Sequence, residues 1–331
     1  MKLPVLKLLT HTRVVLPTFL LLALQLSGCA TIKLGQSYNE PLTEQVIDKG
    51  ETEQKVLLVN IDGILNDEPK QGLLSQAPSV LDSVLMQLKK AEKDKQIVAV
   101  LLKINSPGGG VTVSEVLYHE LQQFKERTDK KIFVQMMTVA ASGGVYVSMA
   151  ADHIQAHPST ITGSVGVVSM SPDISGTLAK IGAKVNVYKT GDNKDMGSPF
   201  KAASESDQVA FKEVVAQMAD DFYNRVQQRQ DLSVETMQVI KTARIFTGSK
   251  AKELGLVDSV GYLTDATKQA CKLGGATGCK IVTYRFNKNK NATAYSPSMQ
   301  MTQIPAQFNL IDLPVLESFK LKPGLYYLYL Q

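Results

Sequence analysis

The stretch TVAASGGVYV, residues 138–147, places one serine among small residues. Ser142 has alanines before it and Gly143 and Gly144 after it, so a peptide backbone can come very close to its hydroxyl group. A serine hydroxyl attacks a carbonyl carbon only when a base takes its proton. The chemistry that this stretch allows is therefore acyl transfer, provided that another residue supplies the base.

A second stretch, NSPGGG at residues 105–110, holds three consecutive glycines before a predicted helix. Free N–H groups in such a loop can point at an oxyanion that develops on a substrate. Two other interpretations stay open on these residues alone. One is a phosphate cradle, although no GK[ST] follows the glycines, and the other is a plain tight turn.

Histidine is the usual base for a serine. The chain has four histidines: His11 near the N-terminus, His119 on a predicted helix, and His153 and His157 at the two ends of a predicted strand. His153 and His157 follow Ser142 by only 11 and 15 residues. That interval is predicted to hold the rest of the serine's own helix and a turn, so neither histidine is well placed to return to the hydroxyl.

Lysine is the alternative base. A neutral amine accepts a proton once burial and its neighbours lower the lysine pKa from about 10.4 to roughly 7–8. The stretch YKTGDNKDMGSPF, residues 188–200, offers Lys189 and Lys194 in a loop after a predicted strand. Most lysines are solvated surface groups, so this loop does not establish such a role by itself.

The elements that must position these residues alternate between strand and helix. KVLLVNI (55–61), IVAVLLKI (97–104) and KIFVQMM (131–137) are apolar without alternation, and helical patterns separate them. This order predicts an α/β fold with a mostly parallel sheet that is covered on both faces. NSPGGG follows the second strand and Ser142 follows the third, so both are expected at the carboxyl edge of the sheet.

The predicted domain organisation has four parts. Residues 1–28 form a leader, 29–54 a polar tether, 55–285 the α/β domain, and 286–331 an Asn/Lys/Ser-rich linker and a C-terminal tail. The second half of the α/β domain is predicted to be mainly helical and to end in the strand KIVTYR (280–285).

The leader is predicted to direct the chain to a membrane. A basic stretch precedes the apolar run VVLPTFLLLALQL, which contains a proline and is short for a membrane span. The run ends in LSGC, which resembles a bacterial lipobox, so Cys29 is expected to be diacylated and to become the new N-terminus. The alternative is an uncleaved signal anchor. In either case the rest of the chain is expected on the extracytoplasmic side.

Charge and cysteine content restrict the partners. The net charge of +5 includes Lys2, Lys7 and Arg13 of the leader, and the remainder, with 33 basic and 31 acidic residues, gives no case for a nucleic-acid surface. Cys271 and Cys279 are predicted to form a disulfide, with two separate buried thiols as the alternative. His, Asp and Glu show no ligand spacing, so neither a metal nor a cofactor is expected.

Four motifs occur together and in a characteristic order. They are NSPGGG, VAASGGVYVSMAADHIQAHPSTITGSVGVV, YKTGDNKDMGSP and RIFTGSKAKELGLVDSVG. Together they resemble the signal peptide peptidase A family of membrane-bound Ser–Lys peptidases, over roughly residues 55–285. The resemblance implies the Clp protease/crotonase-like fold, in which strand–helix units stack in a superhelix. It also implies a ring-like homo-oligomer with the catalytic dyad near a subunit interface.

The resemblance assigns roles to individual residues. Ser142, in ASGG, matches the nucleophile, and Lys194, in the KDxxSP stretch, matches the general base, with Lys189 as the alternative. Ser164, in TGSVG, matches a serine that holds the base lysine by a hydrogen bond.

The oxyanion donors are assigned in the same way. Gly109 matches the glycine whose N–H faces the developing oxyanion, and Gly143 is a second donor beside the nucleophile. The chain departs from the family at Val145, where tyrosine is common, and at Lys201, where arginine is frequent. These departures concern the rim of the pocket or subunit contacts. Val145, Val147 and neighbouring methionines suggest an apolar cleft, although core packing explains each of them equally well.

The function implied is that of a membrane-tethered serine endopeptidase in the bacterial envelope. Its substrates would be released signal peptides and other short apolar peptides. One alternative is an inactive scaffold or binding protein of the same fold, against which stand the intact Ser142, Lys194 and Ser164. Another is a crotonase-like enzyme acting on acyl thioesters, which the targeting segment disfavours because such substrates are cytoplasmic.

Overall fold

The computed structural model describes residues 41–71, 76–286, 291–296 and 324–329. The leader, Cys29 and the first part of the expected tether lie outside the described residues. Within those ranges, no helix combines the length and the apolar character needed to cross a membrane.

The strands of the described ranges are numbered in chain order. They are β1 (Thr43–Asp48), β2 (Lys55–Asp62), β3 (Lys70–Gln71), β4 (Gln76–Ala77), β5 (Ile97–Ser106), β6 (Gly108–Gly110), β7 (Lys131–Ala141), β8 (His153–Ala156), β9 (Ile161–Gly163), β10 (Val168–Met170), β11 (Ile245–Thr247), β12 (Ser259–Val260), β13 (Lys280–Arg285) and β14 (Gly324–Leu328).

The helices are numbered in the same way. They are α1 (Val80–Lys93), α2 (Val111–Thr128), α3 (Gly143–Ser148), α4 (Ser175–Lys180), α5 (Glu205–Gln230), α6 (Val234–Ile240), α7 (Gly248–Glu253) and α8 (Leu263–Leu273). Several helices begin at residues whose side chains cap the first turn. Ser79 accepts a hydrogen bond from Asp82 N at the start of α1, and Ser204 and Asp207 form a capping box at the start of α5.

The main sheet follows the order β1-β13-β2-β5-β7-β8-β12, with β9 paired to β7 and β11 paired to β9. The central pairs from β13 to β12, and the pair of β7 with β9, are parallel, whereas β1 and β11 are antiparallel to their neighbours. The expected α/β class and mostly parallel sheet are confirmed.

The core lies on both faces of this sheet. Alternate residues of β2 point to opposite sides, so Leu57 and Val59 pack with one set of buried residues and Val56 and Leu58 with the other. Helices α1 and α2 cover the first face, and α8 covers the second with Leu263, Ala266 and Ala270. Because both faces are buried, apolar residues occupy consecutive positions of the central strands, which explains their sequence pattern.

β1 and β14 lie outside the predicted α/β domain, in segments for which the sequence indicated no secondary structure. β1 occupies part of the expected tether and pairs with β13, from Thr43 opposite Arg285 to Asp48 opposite Ile281. β14 lies in the expected C-terminal tail and pairs with β6 and β10. Both segments therefore contribute to the folded molecule.

A disulfide joins the end of α8 to the start of β13. Cys271 and Cys279 are bonded to each other, with their Cα atoms 5.9 Å apart. Both residues are buried against the second face of the sheet.

Candidate active site

Ser142 occupies the turn between β7 and α3. Its backbone angles are φ 52° and ψ −113°, an arrangement that costs energy in a residue with a side chain. A strained strand-to-helix turn of this kind is typical of a nucleophilic serine. The turn is fixed by Ser142 N–H, which donates to Gly163 O at 2.8 Å, and the residue is only 1% exposed.

The glycine loop lies directly against this turn. A Cβ atom on Gly108 would come within 2.0 Å of Tyr327 O and 2.7 Å of Gly143 N, and Gly108 has a φ of 104°. A Cβ on Gly143 would come within 2.6 Å of Ser114 Oγ. Only glycine fits at these two positions, and their close approach brings the two stretches singled out in the sequence to one place.

Gly109 directs its N–H toward β14. On its other side lies Leu65, whose N–H donates to Gly108 O at 2.8 Å and whose carbonyl accepts from Gly110 N–H at 3.0 Å. Successive amides of an extended chain point to opposite sides, so the Gly109 N–H faces away from Leu65. This donor therefore points to the side on which Tyr327 lies.

Ser164 lies beside Ser142. The two serines follow Ala141 and Gly163, which are paired in the parallel ladder of β7 and β9. Ser164 also has a positive φ, 52°, and its N–H donates to Arg244 O at 2.9 Å. Among the described residues, the Ser142 hydroxyl has one hydrogen bond, a long one of 3.5 Å to Gly166 O.

Lys194 is far from this site. It is exposed, and its ammonium group has no hydrogen bond or ion pair within the described part of the chain. The neighbouring Asn193 accepts from Ser206 Oγ at 3.2 Å, at the first turn of α5. Phe222 lies sixteen residues after Ser206 in α5, which corresponds to about 24 Å along the helix. The ring of Phe222 lies 4.9 Å from that of Tyr146 in α3, next to Ser142. The structure thus brings Ser142, Ser164, Gly109 and Gly143 together without Lys194.

Lys189, the alternative base, is already engaged. Its Nζ donates to Asp192 O at 2.6 Å and to Asp195 Oδ1 at 2.8 Å. Lys201 contacts the same carboxylate at 2.7 Å, and the hydrogen bonds from Lys189 and Lys201 lower the pKa of Asp195 to about 2. Lys189 therefore serves to hold the loop together, whereas the neighbouring Lys194 is free of such bonds within the described residues.

The histidines make other contacts. His153 stacks on Phe133 and shares a hydrogen bond of 2.8 Å with Ser259 Oγ, and burial lowers its pKa. His157 shares one with Ser159 Oγ, and His119 is exposed on α2. His11 lies outside the described residues. Within those residues, no histidine contacts Ser142, in agreement with the sequence analysis.

Comparison with known proteins identifies the family of the chain. A sequence profile of peptidase family S49 matches residues 124–277, and a profile of Clp protease matches residues 75–162. A relative from Enterococcus faecium with the provisional name signal peptide peptidase SppA is 34% identical over 254 residues, which cover 77% of this chain and 74% of the relative. The chain belongs to peptidase family S49.

Other relatives agree with this assignment. Protease 4 of Haemophilus influenzae is 30% identical over 219 residues, 66% of this chain and 35% of that protein. The chloroplastic serine protease SPPA of Arabidopsis thaliana is 28% identical over 188 residues, 56% of this chain and 28% of that protein. As an S49 peptidase, the chain is a serine peptidase, and its fold is Clp protease-like.

An aromatic cluster that the sequence did not indicate lies beside Ser142 in this S49 peptidase. Tyr146, Phe222 and Tyr327 pack together with ring centroids 4.8–4.9 Å apart, and Tyr118 meets Tyr146 edge-on at 5.7 Å. Burial, followed by a hydrogen bond to Glu115, raises the pKa of Tyr146, so its hydroxyl stays protonated and donates to that carboxylate.

The apolar cleft expected around Val145 and Val147 is not formed by these two residues. Both are fully buried in the core, and Tyr146 between them contacts the cluster instead. The signal that could have indicated the aromatic cluster was Tyr146, four residues after Ser142, because a helix places residues with this spacing one turn apart.

Proposed function

We propose that this serine peptidase uses Ser142 as its nucleophile and Lys194 as its general base, and that it cleaves released signal peptides and other short apolar peptides. The observation that carries the proposal is the strained turn at Ser142, which faces the glycine loop and has none of the described histidines beside it. Ser142 Oγ would attack the peptide carbonyl while the N–H groups of Gly109 and Gly143 receive the oxyanion. Lys194 would take the hydroxyl proton and return it to the leaving amine.

Lys194 would come from a second copy of the chain. Within one chain, about 24 Å of helix α5 separates the Lys194 loop from the aromatic cluster. The segment around this loop exposes large apolar side chains, including Ile181, Val187 and Tyr188, the last 94% exposed. Exposed apolar surface of this kind favours protein–protein contact. A homo-oligomer in which Lys194 of each chain reaches the Ser142 site of its neighbour accounts for the distance and for the exposed apolar residues. Ser164 would then accept a hydrogen bond from the neighbour's lysine.

Labelling with a fluorophosphonate tests the dyad. The probe should modify the wild-type protein at Ser142 and leave the Ser142→Ala and Lys194→Ala variants unmodified. The matched control is Lys189→Ala, which removes a lysine of the same loop and should retain labelling although the loop loses an ion pair. Labelling that requires Lys189 and not Lys194 would contradict the assignment. No labelling of the folded wild type would favour an inactive scaffold.

The proposed location is the extracytoplasmic face of a bacterial membrane, with Cys29 as the lipidated N-terminus. The support is the LSGC ending of the leader. A cysteine that carries several acyl chains attaches firmly to a bilayer. Mass spectrometry of the membrane-extracted protein should find an acylated Cys29 as the first residue. An intact Met1, or an unmodified Cys29, would refute this location.

A further inference from the structure

Three residues with strained backbones lie around the Ser142 hydroxyl. Five non-glycine residues of the described ranges have a positive φ, and two of them, Asp129 and Asp231, are helix C-caps. The other three are Ser142, Ser164 and Ala243, with φ values of 52–54°. Strain of this kind is concentrated at functional sites, where the surrounding structure maintains it. Ser142 and Ser164 already have proposed roles, so Ala243 is the strained residue whose purpose is unexplained.

Ala243 adjoins the nucleophile through Gly166. The Gly166 carbonyl accepts the long hydrogen bond from Ser142 Oγ, and a Cβ atom on Gly166 would come within 3.0 Å of Ala243 Cβ. Ala243 N–H donates to Ile240 O at 3.0 Å, at the end of α6. The strained residue therefore turns the chain from α6 into β11 and fixes the position of Arg244, which lies between that turn and the strand.

The backbone of Arg244 is held opposite Ser164. The Arg244 carbonyl accepts from Ser164 N–H at 2.9 Å, next to the ladder pair of β9 and β11 that joins Gly163 to Ile245. Because Ser142 N–H donates to the carbonyl of the same Gly163, the backbones of Ser142 and Arg244 are two strand spacings apart, about 10 Å. The long side chain of an arginine can cover much of that distance.

The guanidinium group of Arg244 is free to bind an anion. The residue is exposed, and within the described part of the chain its side chain makes no hydrogen bond, ion pair or ring contact. Two other arginines of this half of the domain are engaged, Arg225 with Glu115 and Arg229 with Asp258. A guanidinium binds a carboxylate through two parallel N–H donors. Arg244 therefore offers a carboxylate-binding group close to the nucleophile.

We propose that Arg244 binds a carboxylate of the peptide substrate, so that this serine peptidase favours peptides with a negative charge close to the bond that is cut. The inference rests on the proposed function of Ser142. About 10 Å corresponds to three residues of an extended peptide, so the carboxylate would lie within about three residues of that bond. It can come from an acidic side chain or from the C-terminus, which every short peptide released by hydrolysis carries.

Paired peptides that differ only in charge test the inference. An apolar peptide with Glu at each of the three positions on either side of the cut bond is compared with its Gln counterpart. A peptide that ends two or three residues after the bond is compared as free acid and as amide. In at least one pair kcat/KM should be about tenfold higher for the carboxylate, as expected for a charge-assisted hydrogen bond. The pair that shows the preference identifies the source of the carboxylate.

Variants of Arg244 assign the preference to this residue. Arg244→Gln should reduce the ratio of the two kcat/KM values from about ten to about one, and Arg244→Glu should favour a peptide with Lys at the preferred position over one with Glu. Lys241→Gln is the matched control, because it removes a cation three residues away that lies 5.1 Å from the centre of the Tyr223 ring. Its ratio should stay at about ten. Size-exclusion chromatography checks that the variants assemble like the wild type.

Two results would overturn the inference without affecting the proposed function. One is that the fluorophosphonate labels Ser142 and apolar peptides are cut, but the wild type cuts both members of every pair at equal rates. The other is that Arg244→Gln lowers kcat/KM equally for both members of a pair, because Arg244 would then support the fold or the assembly. Absence of labelling would instead refute the proposed function.

Discussion

At the scale of single residues, Ser164 should be the part of the lysine's binding site that belongs to the same chain as Ser142. The two serines follow paired residues of β7 and β9, and the backbone of Ser164 is held by Arg244 O. A hydroxyl at this point can receive a hydrogen bond from a lysine that arrives from outside the chain. It would orient the amine toward the nucleophile.

Ser164→Ala should therefore lower kcat by about 10²-fold, within the range expected for impaired general-base catalysis, and change KM little. The measurement is steady-state hydrolysis of an apolar peptide. Ser159→Ala, which removes a hydroxyl bound to His157, is the control and should keep full activity. An unchanged kcat in Ser164→Ala would show that this hydroxyl does not position the base.

The closeness of the Ser142 turn to the glycine loop was predictable because both stretches have a local signature. Ser142 and Gly109 lie among small residues in loops that follow apolar strands, and strand ends of a parallel sheet meet at one edge. The place of Lys194 was not predictable, because its loop exposes it and its position depends on the length of α5. Tyr327 was missed because nothing in a short tail indicates a distant pocket.

At the scale of elements, the loop that carries Lys194 is held by a chain of ion pairs. Asp195 binds Lys189 and Lys201, and Lys201 also binds the inaccessible Asp207 at 2.7 Å. Asp207 belongs to the capping box of α5, so the loop is fastened to the start of that helix. These ion pairs would fix the direction in which Lys194 projects, although none of them involves Lys194 itself.

Asp195→Asn should loosen the loop. The chain has no tryptophan, so Tyr188→Trp supplies a single fluorescent reporter in the same loop. Its anisotropy should fall when Asp195→Asn is added and stay high when Asp192→Asn is added, since Asp192 contributes its backbone carbonyl to Lys189. Equal anisotropy in both variants would contradict the role of Asp195.

The pH dependence of this reporter follows from the same ion pairs. The hydrogen bonds from Lys189 and Lys201 lower the folded-state pKa of Asp195 to about 2, below the usual value of about 3.9. The order that Asp195 contributes is thus complete above about pH 4 and is lost as the pH falls toward 2. The anisotropy of the Tyr188→Trp protein should decline as the pH falls through that window. With Asp195→Asn added, the anisotropy should be lower and should change little with pH. Circular dichroism checks that the rest of the fold stays intact.

The central strands and helices were predictable, whereas β1 and β14 were not. Strands buried on both faces have continuous apolar sequences, but β1 is an edge strand with a mixed sequence, TEQVID, and β14 is a short segment whose pairing is set by the groove that it enters. Edge strands depend on the partner's free backbone groups more than on their own side chains.

At the scale of the whole molecule, activity should depend on assembly. Ser142→Ala and Lys194→Ala chains should each be inactive alone. When they are mixed and allowed to exchange subunits, a chain with an intact serine can receive lysine from a neighbour of the other type. Random pairing in a ring should restore about a quarter of the wild-type activity. Mixed rings with no activity would show that both residues of the dyad belong to one chain.

The pairing of Thr43 with Arg285 means that the chain enters and leaves the main sheet at neighbouring positions on one edge. In a variant limited to residues 43–285, which leaves out β14, a linker of a few residues could join these two positions, because domain ends that lie close together tolerate circular permutation. New ends could then be opened at an exposed turn such as Gly182–Ala183 without interrupting the sheet.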